Sequence, residues 1–222
     1  MYKFLTFPLF VFLFSGEDYV AAAALTIPEV IEAIIGTIGA GTSIASTANS
    51  FNSMDFSVTF SLETENYTDK HLSHHNSPTK SGLVTIPPTS IKPGEKESMA
   101  GHKTDGSATG SYGTVSWKIG NTEMLLVVMY SVPFDHNFHH NWLAVGVFDN
   151  KKTQANADVM YYNEETEFKR KRFWDDTNPV IYDGNADYLV EGSMGSDYKA
   201  VIKVKSISNF LMTLSTTKQS RG

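Results

Sequence analysis

The chain has 222 residues, 41% hydrophobic, 12% aromatic and 19% charged, with a formal net charge of −6 and no cysteine. It is long enough for one self-sufficient core and too apolar and aromatic to be disordered. The missing cysteines exclude a disulfide scaffold, a thiolate zinc site and a cysteine nucleophile, and the acidic balance provides no global basic field to recruit nucleic acid.

Lys3 precedes an apolar run from Phe4 to Phe14, followed by Ser15, Gly16 and alanines at 21–24. A charged start, a short apolar stretch and small residues before a cut predict a secretory signal over 1–24, cleaved somewhere in 16–24. Crossing a bilayer takes about 20 apolar residues, so this run is too short for an anchor. A buried N-terminal strand is the alternative. Asn66-Tyr67-Thr68 is a glycosylation sequon, which fits an exported chain.

Residues 25–54 differ from the rest. Thr26 can cap a helix, Pro28 suits its first turn, and Glu29 and Glu32 lie where the helix dipole favours anions. Ile27, Val30, Ile31, Ile34, Ile35, Ile38, Ala45 and Ala48 share one face at helical spacing. Gly36, Gly39 and Gly41 each cost a helix interior about 1 kcal/mol, so its second half is a poor helix in water. Two expectations follow. One is a packed surface helix over about 27–35 with a supple tail; the other is a segment that completes its helix in a membrane. About 24 helical residues would reach about 36 Å, enough to cross the hydrocarbon core.

From residue 55 the period changes to two. Phe56, Val58, Phe60 and Leu62 alternate with Ser57, Thr59 and Ser61, and apolar runs recur at 112–119, 123–134, 142–148, 187–191 and 199–207. Gly120-Asn121, Asp149-Asn150 and Asp183-Gly184 are turn signals between them. Residues 66–80 and 86–98 read as loops, and Tyr161-Tyr162 begin a polar, charged stretch expected to carry a second short helix. Short strands without intervening helices predict a mainly β, single-domain β-sandwich over 55–207. Residues 208–222 form a C-terminal extension.

Ala108-Thr109-Gly110, followed by Ser131-Val132-Pro133-Phe134-Asp135-His136-Asn137-Phe138-His139-His140-Asn141-Trp142, resembles the actinoporin family of pore-forming toxins. The family's block runs Ser-Val-Pro, aromatic-Asp-aromatic-Asn-aromatic, then Asn-Trp. Lys80-Ser81-Gly82 and Tyr161-Tyr162 extend the likeness, which covers about residues 25–207. It implies a β-sandwich flanked by two α-helices that binds membrane lipid, forms a homo-oligomer and inserts its N-terminal helix.

The resemblance places a phosphocholine pocket on Ser81, Tyr112, Ser131, Pro133, His139, Tyr161 and Tyr162. Aromatic faces hold a quaternary ammonium by about 0.5–2 kcal/mol per ring, and hydroxyls meet phosphate oxygens. The family has tyrosine at His139 and valine at Tyr112, and a further pocket tyrosine falls near Ala157, so the cage is thinner here. The family's interfacial patch falls on Phe134, His136, Phe138 and His140, two of them histidine in this chain. Trp142 is expected to start the next strand and pack inward. Within the inserted helix the isoleucines would face lipid and Glu29 and Glu32 would line the lumen. Those are the charges between residues 25 and 54, which predicts a cation-selective pore.

The spacing of His136, His139 and His140 hints at a metal site, but a Pro-led loop is not a helix and no carboxylate or thiolate set accompanies them, so no metal or cofactor is expected. Their titration near 6.5 suggests that mild acid adds positive charge at this surface. Lys169-Arg170-Lys171-Arg172, flanked by Phe168, Phe173 and Trp174, is either a solvated loop or an attraction for anionic lipid. The family's Arg-Gly-Asp triplet is missing there, so no role attached to it carries over. No nucleophile elbow or phosphate-cradling glycine loop appears, and no enzyme is expected. The expected function is a secreted pore-forming toxin acting at a target membrane. The alternative is a non-lytic, lectin-like or lipid-binding module on the same sandwich.

Overall fold

The computed structural model describes residues 40–41, 56–149, 156–163, 167–174, 180–183 and 187–208. The predicted signal, the pore-lining Glu29 and Glu32, and the extension after Ser208 lie outside them. So does the amphipathic helix expected over 25–54, apart from Ala40 and Gly41.

Thirteen strands and one helix are described. In the first sheet are β1 (Ala40–Gly41), β2 (Thr59–Tyr67), β5 (Leu83–Ile86), β6 (Glu95–His102), β11 (Val180–Asp183), β12 (Tyr188–Met194) and β13 (Lys199–Ser208). Its order is β1-β6-β2-β13-β12-β11, with β5 also on β6. In the second sheet are β3 (Leu72–Asn76), β4 (Thr79–Ser81), β7 (Ser111–Ile119), β8 (Met124–Val132), β9 (Asn141–Asp149) and β10 (Phe168–Phe173). Its order is β10-β9-β8-β7-β3, with β4 also on β7. The architecture is mainly β, a two-sheet sandwich. A single short helix, α1 (Ala157–Tyr162), is present among the described residues.

The sandwich follows from the alternation. Val58, Phe60 and Leu62 are buried, and the Phe60 ring stacks on Tyr130 of the facing sheet at 4.1 Å. Burial of the Tyr130 hydroxyl pushes its pKa up to about 12, so it stays protonated and the core carries no charge there. Strands β8 and β9 are apolar on both faces because both are covered. One face meets the first sheet. On the other, Val127, Met129, Ala144 and Phe148 pack under Ala157 and Met160 of α1.

Several sequence expectations need correction. Residues 66–80 hold strands β3 and β4, because Leu72 is fully buried and exchanges two backbone bonds with Ile91, at 2.9 and 2.8 Å. The polar residues that follow Leu72 pair through their backbones at the sheet margin, with bulges, which composition does not reveal. Within 86–98, strand β6 already begins at Glu95. The helix expected in the stretch from Tyr161 onward lies before it: α1 ends at Tyr162, and Asn156 caps its start by accepting from the Asp158 amide at 2.9 Å. The sequon is structural. Asn66 is fully buried, donates to the carbonyls of Lys70 and Ile91, and accepts from the Thr68 amide and hydroxyl. The nitrogen makes two of those four bonds, and a glycan on it would break at least one and demand room at a fully buried position, so the folded protein does not present Asn66 for glycosylation.

Candidate functional site

At one end of the second sheet, strand ends and two turns enclose an open cavity of about 440 Å³. Its floor is the pairing of Ser81 with Tyr112 and of Tyr112 with Ser131. The turn Ala108-Thr109-Gly110 closes one side, Pro133 to Asp135 and His139 another, and Tyr161 and Tyr162 from the end of α1 the third. All seven residues of the expected headgroup pocket therefore line one cavity, although they span 82 positions from 81 to 162.

Local chemistry explains the shape. A β-carbon at Gly110 would overlap the Val132 carbonyl oxygen and lie 2.7 Å from Pro133 Cα, so only glycine lets this turn close on β8. The Ser81 hydroxyl donates to the Gly110 carbonyl at 2.7 Å and ties the turn to β4. In the next turn, Asp135 accepts from the Asn137 amide at 2.9 Å through its side chain and from the His139 amide at 3.1 Å through its carbonyl. That closed turn aims Phe138 into solvent at 81% exposure and leaves Phe134 41% exposed. Lys103, bonded to the Thr104 and Ser107 carbonyls, places its ammonium 5.2 Å from the Phe134 ring.

Aromatic rings form the far wall. Tyr161 lies 5.5 Å from Tyr112, 4.8 Å from Tyr162 and 5.7 Å from Trp142, with Tyr112 and Tyr162 both edge-on. Arg170 braces this wall from behind: it donates to the Tyr161 carbonyl at the helix end and lies 5.3 Å from the Trp142 ring. The Tyr112 hydroxyl donates to Asp158 at 3.1 Å, and Asp158 pairs with Lys80 at 2.8 Å. Burial, then the Asp158 bond, raises the Tyr112 pKa well above the usual phenol range. Lys80 in turn holds the Asp158 carboxyl below its ordinary value. The Tyr161 hydroxyl is raised by burial and the neighbouring Tyr162. Both phenols thus remain neutral and offer ring faces to a cation; the Tyr112 proton is engaged by Asp158, which leaves the Tyr161 hydroxyl as the donor for a phosphate oxygen.

The expected interfacial residues divide. Phe134 and Phe138 stand exposed, and Phe134 also lines the cavity. His136 and His140 are half-buried: His136 stacks on Tyr198 at 3.8 Å, and His140 stacks on Trp174 at 4.7 Å. His139 lines the cavity, and no group of three or more potential metal ligands gathers among the described residues. Burial and the nearby His140 lower the His136 pKa, so it charges less readily in acid than a free imidazole. Trp142 does start β9, but it packs on the outer face under Tyr161, not between the sheets. The basic run is the edge strand β10, not a loop. Sequence reasoning missed the lining by Thr109, Gly110 and Asp135 and the supports Lys80, Asp158 and Arg170. The Ala-Thr-Gly and Lys-Ser-Gly triplets were their available signal.

The sea anemone cytotoxic protein family matches residues 33–208. The chain belongs to this family, the actinoporins. Echotoxin-2 of Monoplex parthenopeus is 37% identical over 174 residues, 73% of this chain and 62% of that protein. Tereporin-Ts1 of Terebra subulata is 32% identical over 198 residues, 84% of this chain and 95% of that protein. Among solved structures, the lipid binding protein Nakanori superposes with a TM-score of 0.55 at 13% identity, covering 74% of this chain and 76% of that one. That last likeness shows the fold alone. Actinoporins are pore-forming toxins and not enzymes.

Proposed function

We propose that this actinoporin is a secreted cytolysin. It would hold a phosphocholine-type headgroup in the cavity, seat Phe134 and Phe138 at the bilayer interface, oligomerise, and insert residues 25–50 as a cation-selective pore. One observation carries the docking step: the seven headgroup residues line a single open, ring-walled cavity directly beside two exposed phenylalanines. Aromatic rings favour the membrane–water boundary, and an opening beside them faces the headgroup layer.

Insertion is supported by the apolar stripe of 25–50, and it would release the two-residue pairing of Ala40 and Gly41 with Glu95 and Lys96 at the edge of the first sheet. Among the described residues, the cluster that joins the sheets runs from Val58 to Val204.

Dye leakage from vesicles of phosphatidylcholine and sphingomyelin tests both steps. Wild type should bind and leak. Tyr161→Ala with Tyr162→Ala should lower binding and leakage together, by about 5- to 100-fold if each ring supplies about 0.5–1.4 kcal/mol. A chain lacking residues 25–40 should bind without leakage. Binding by wild type without leakage at any dose would favour the non-lytic module instead.

A further inference from the structure

The face that carries the cavity continues past it. Strand register sets Tyr112 opposite Ser131, Ser131 opposite Trp142, and Trp142 opposite Arg172. Opposed residues in an antiparallel ladder share a face, so one row runs from the cavity floor to the sheet edge. Two strand spacings, about 10 Å, separate Ser131 from Arg172. Just beyond the row, His140 stacks on Trp174 at 4.7 Å, and the Arg172 guanidinium lies 5.8 Å from the same indole. Arg172 is exposed and Trp174 is 56% exposed.

We propose that Arg172, Trp174 and His140 form a second headgroup subsite, which holds the phosphate of an anionic lipid in the same leaflet as the lipid in the cavity. The orientation toward the bilayer rests on the cavity being a headgroup site. The chemistry of the subsite is its own. A guanidinium presents a planar fork to phosphate oxygens, and an indole settles at the bilayer interface. Lys169, Arg170 and Lys171 add positive field along the strand, while Asp175 and Asp176 oppose it. A second copy adding a strand here is disfavoured, because a charged edge strand resists further pairing. Arg170 is already committed to the Tyr161 carbonyl, which leaves Arg172 as the fork nearest the aromatic end.

Binding to phosphatidylcholine–sphingomyelin vesicles, with and without phosphatidylserine, decides the matter. Wild type should bind more tightly when phosphatidylserine is present. Arg172→Gln should cut that gain about fivefold and leave binding to the zwitterionic vesicles unchanged. Arg172→Lys keeps the charge but not the fork, so it should recover only part. Lys169→Gln removes the same charge from the other face of β10 and should cost less than Arg172→Gln. No gain from phosphatidylserine, an equal loss in Lys169→Gln, or full recovery in Arg172→Lys would each overturn the subsite. Failure of the cavity assignment looks different: zwitterionic vesicles would go unbound while phosphatidylserine binding still depended on Arg172. Binding to neither set overturns both.

Discussion

At the scale of single residues, the cavity depends on a few contacts that tolerate no substitute. Gly110 is the tightest, since any side chain there meets the backbone of β8. Gly110→Ala should destabilise the protein by about 1–3 kcal/mol, seen as a lower urea midpoint, and weaken headgroup binding because the turn must back away. His136 sets a pH dependence. Its folded pKa is lowered, first by burial and then by His140, with Asp197 and Asp135 pulling the other way. The unfolded chain therefore takes up this proton first as pH falls below about 6.5, and stability should decline there. His136→Phe, which keeps a ring on Tyr198, should lose less melting temperature between pH 7 and pH 5.5 than wild type. An equal loss would show that His136 is not the group responsible.

At the scale of elements, neighbours decide what a pattern does. Helix α1 is one and a half turns long and holds its place through Asn156, through Met160 packed on β8 and β9, and through Arg170 at its end. Its tyrosines become a wall because the helix stops there. Strand β10 turns four consecutive basic residues into two faces, Arg170 and Arg172 on the side of α1 and Lys169 and Lys171 on the other. For the N-terminal segment the expectation rests on its own charges. Glu29→Lys with Glu32→Lys should reverse the ion preference of the pore, measured as a change of sign in the reversal potential across a salt gradient. An unchanged potential would reject that lining.

At the scale of the molecule, a net charge of −6 repels anionic bilayers, so attachment must come from one end and not from the average field. That end carries five exposed rings: Phe134 and Tyr162 line the cavity, Phe138 stands on the adjoining turn, and Tyr198 and Trp174 stack on His136 and His140 of that turn. Under the proposed function, that surface is the docking face. Chemical cross-linking should therefore give monomers in buffer and higher species once sphingomyelin-containing vesicles are added. Oligomers in buffer alone would contradict a lipid-triggered assembly.

The sequence by itself determined the strands with clean alternation, such as Phe60 and Leu62, and the family block around Ser131–Trp142, because both are written in local spacing. It also held the residues of the cavity, though as separate motifs. Tertiary structure alone decided how Tyr112, Asp158 and Lys80 bond behind the cavity, that Trp142 faces α1, that the basic run is an edge strand, and that Asn66 is buried. Each of these depends on which strand lies alongside and which face another layer covers. Register and coverage arise between segments far apart in the chain, and no short stretch of residues encodes them.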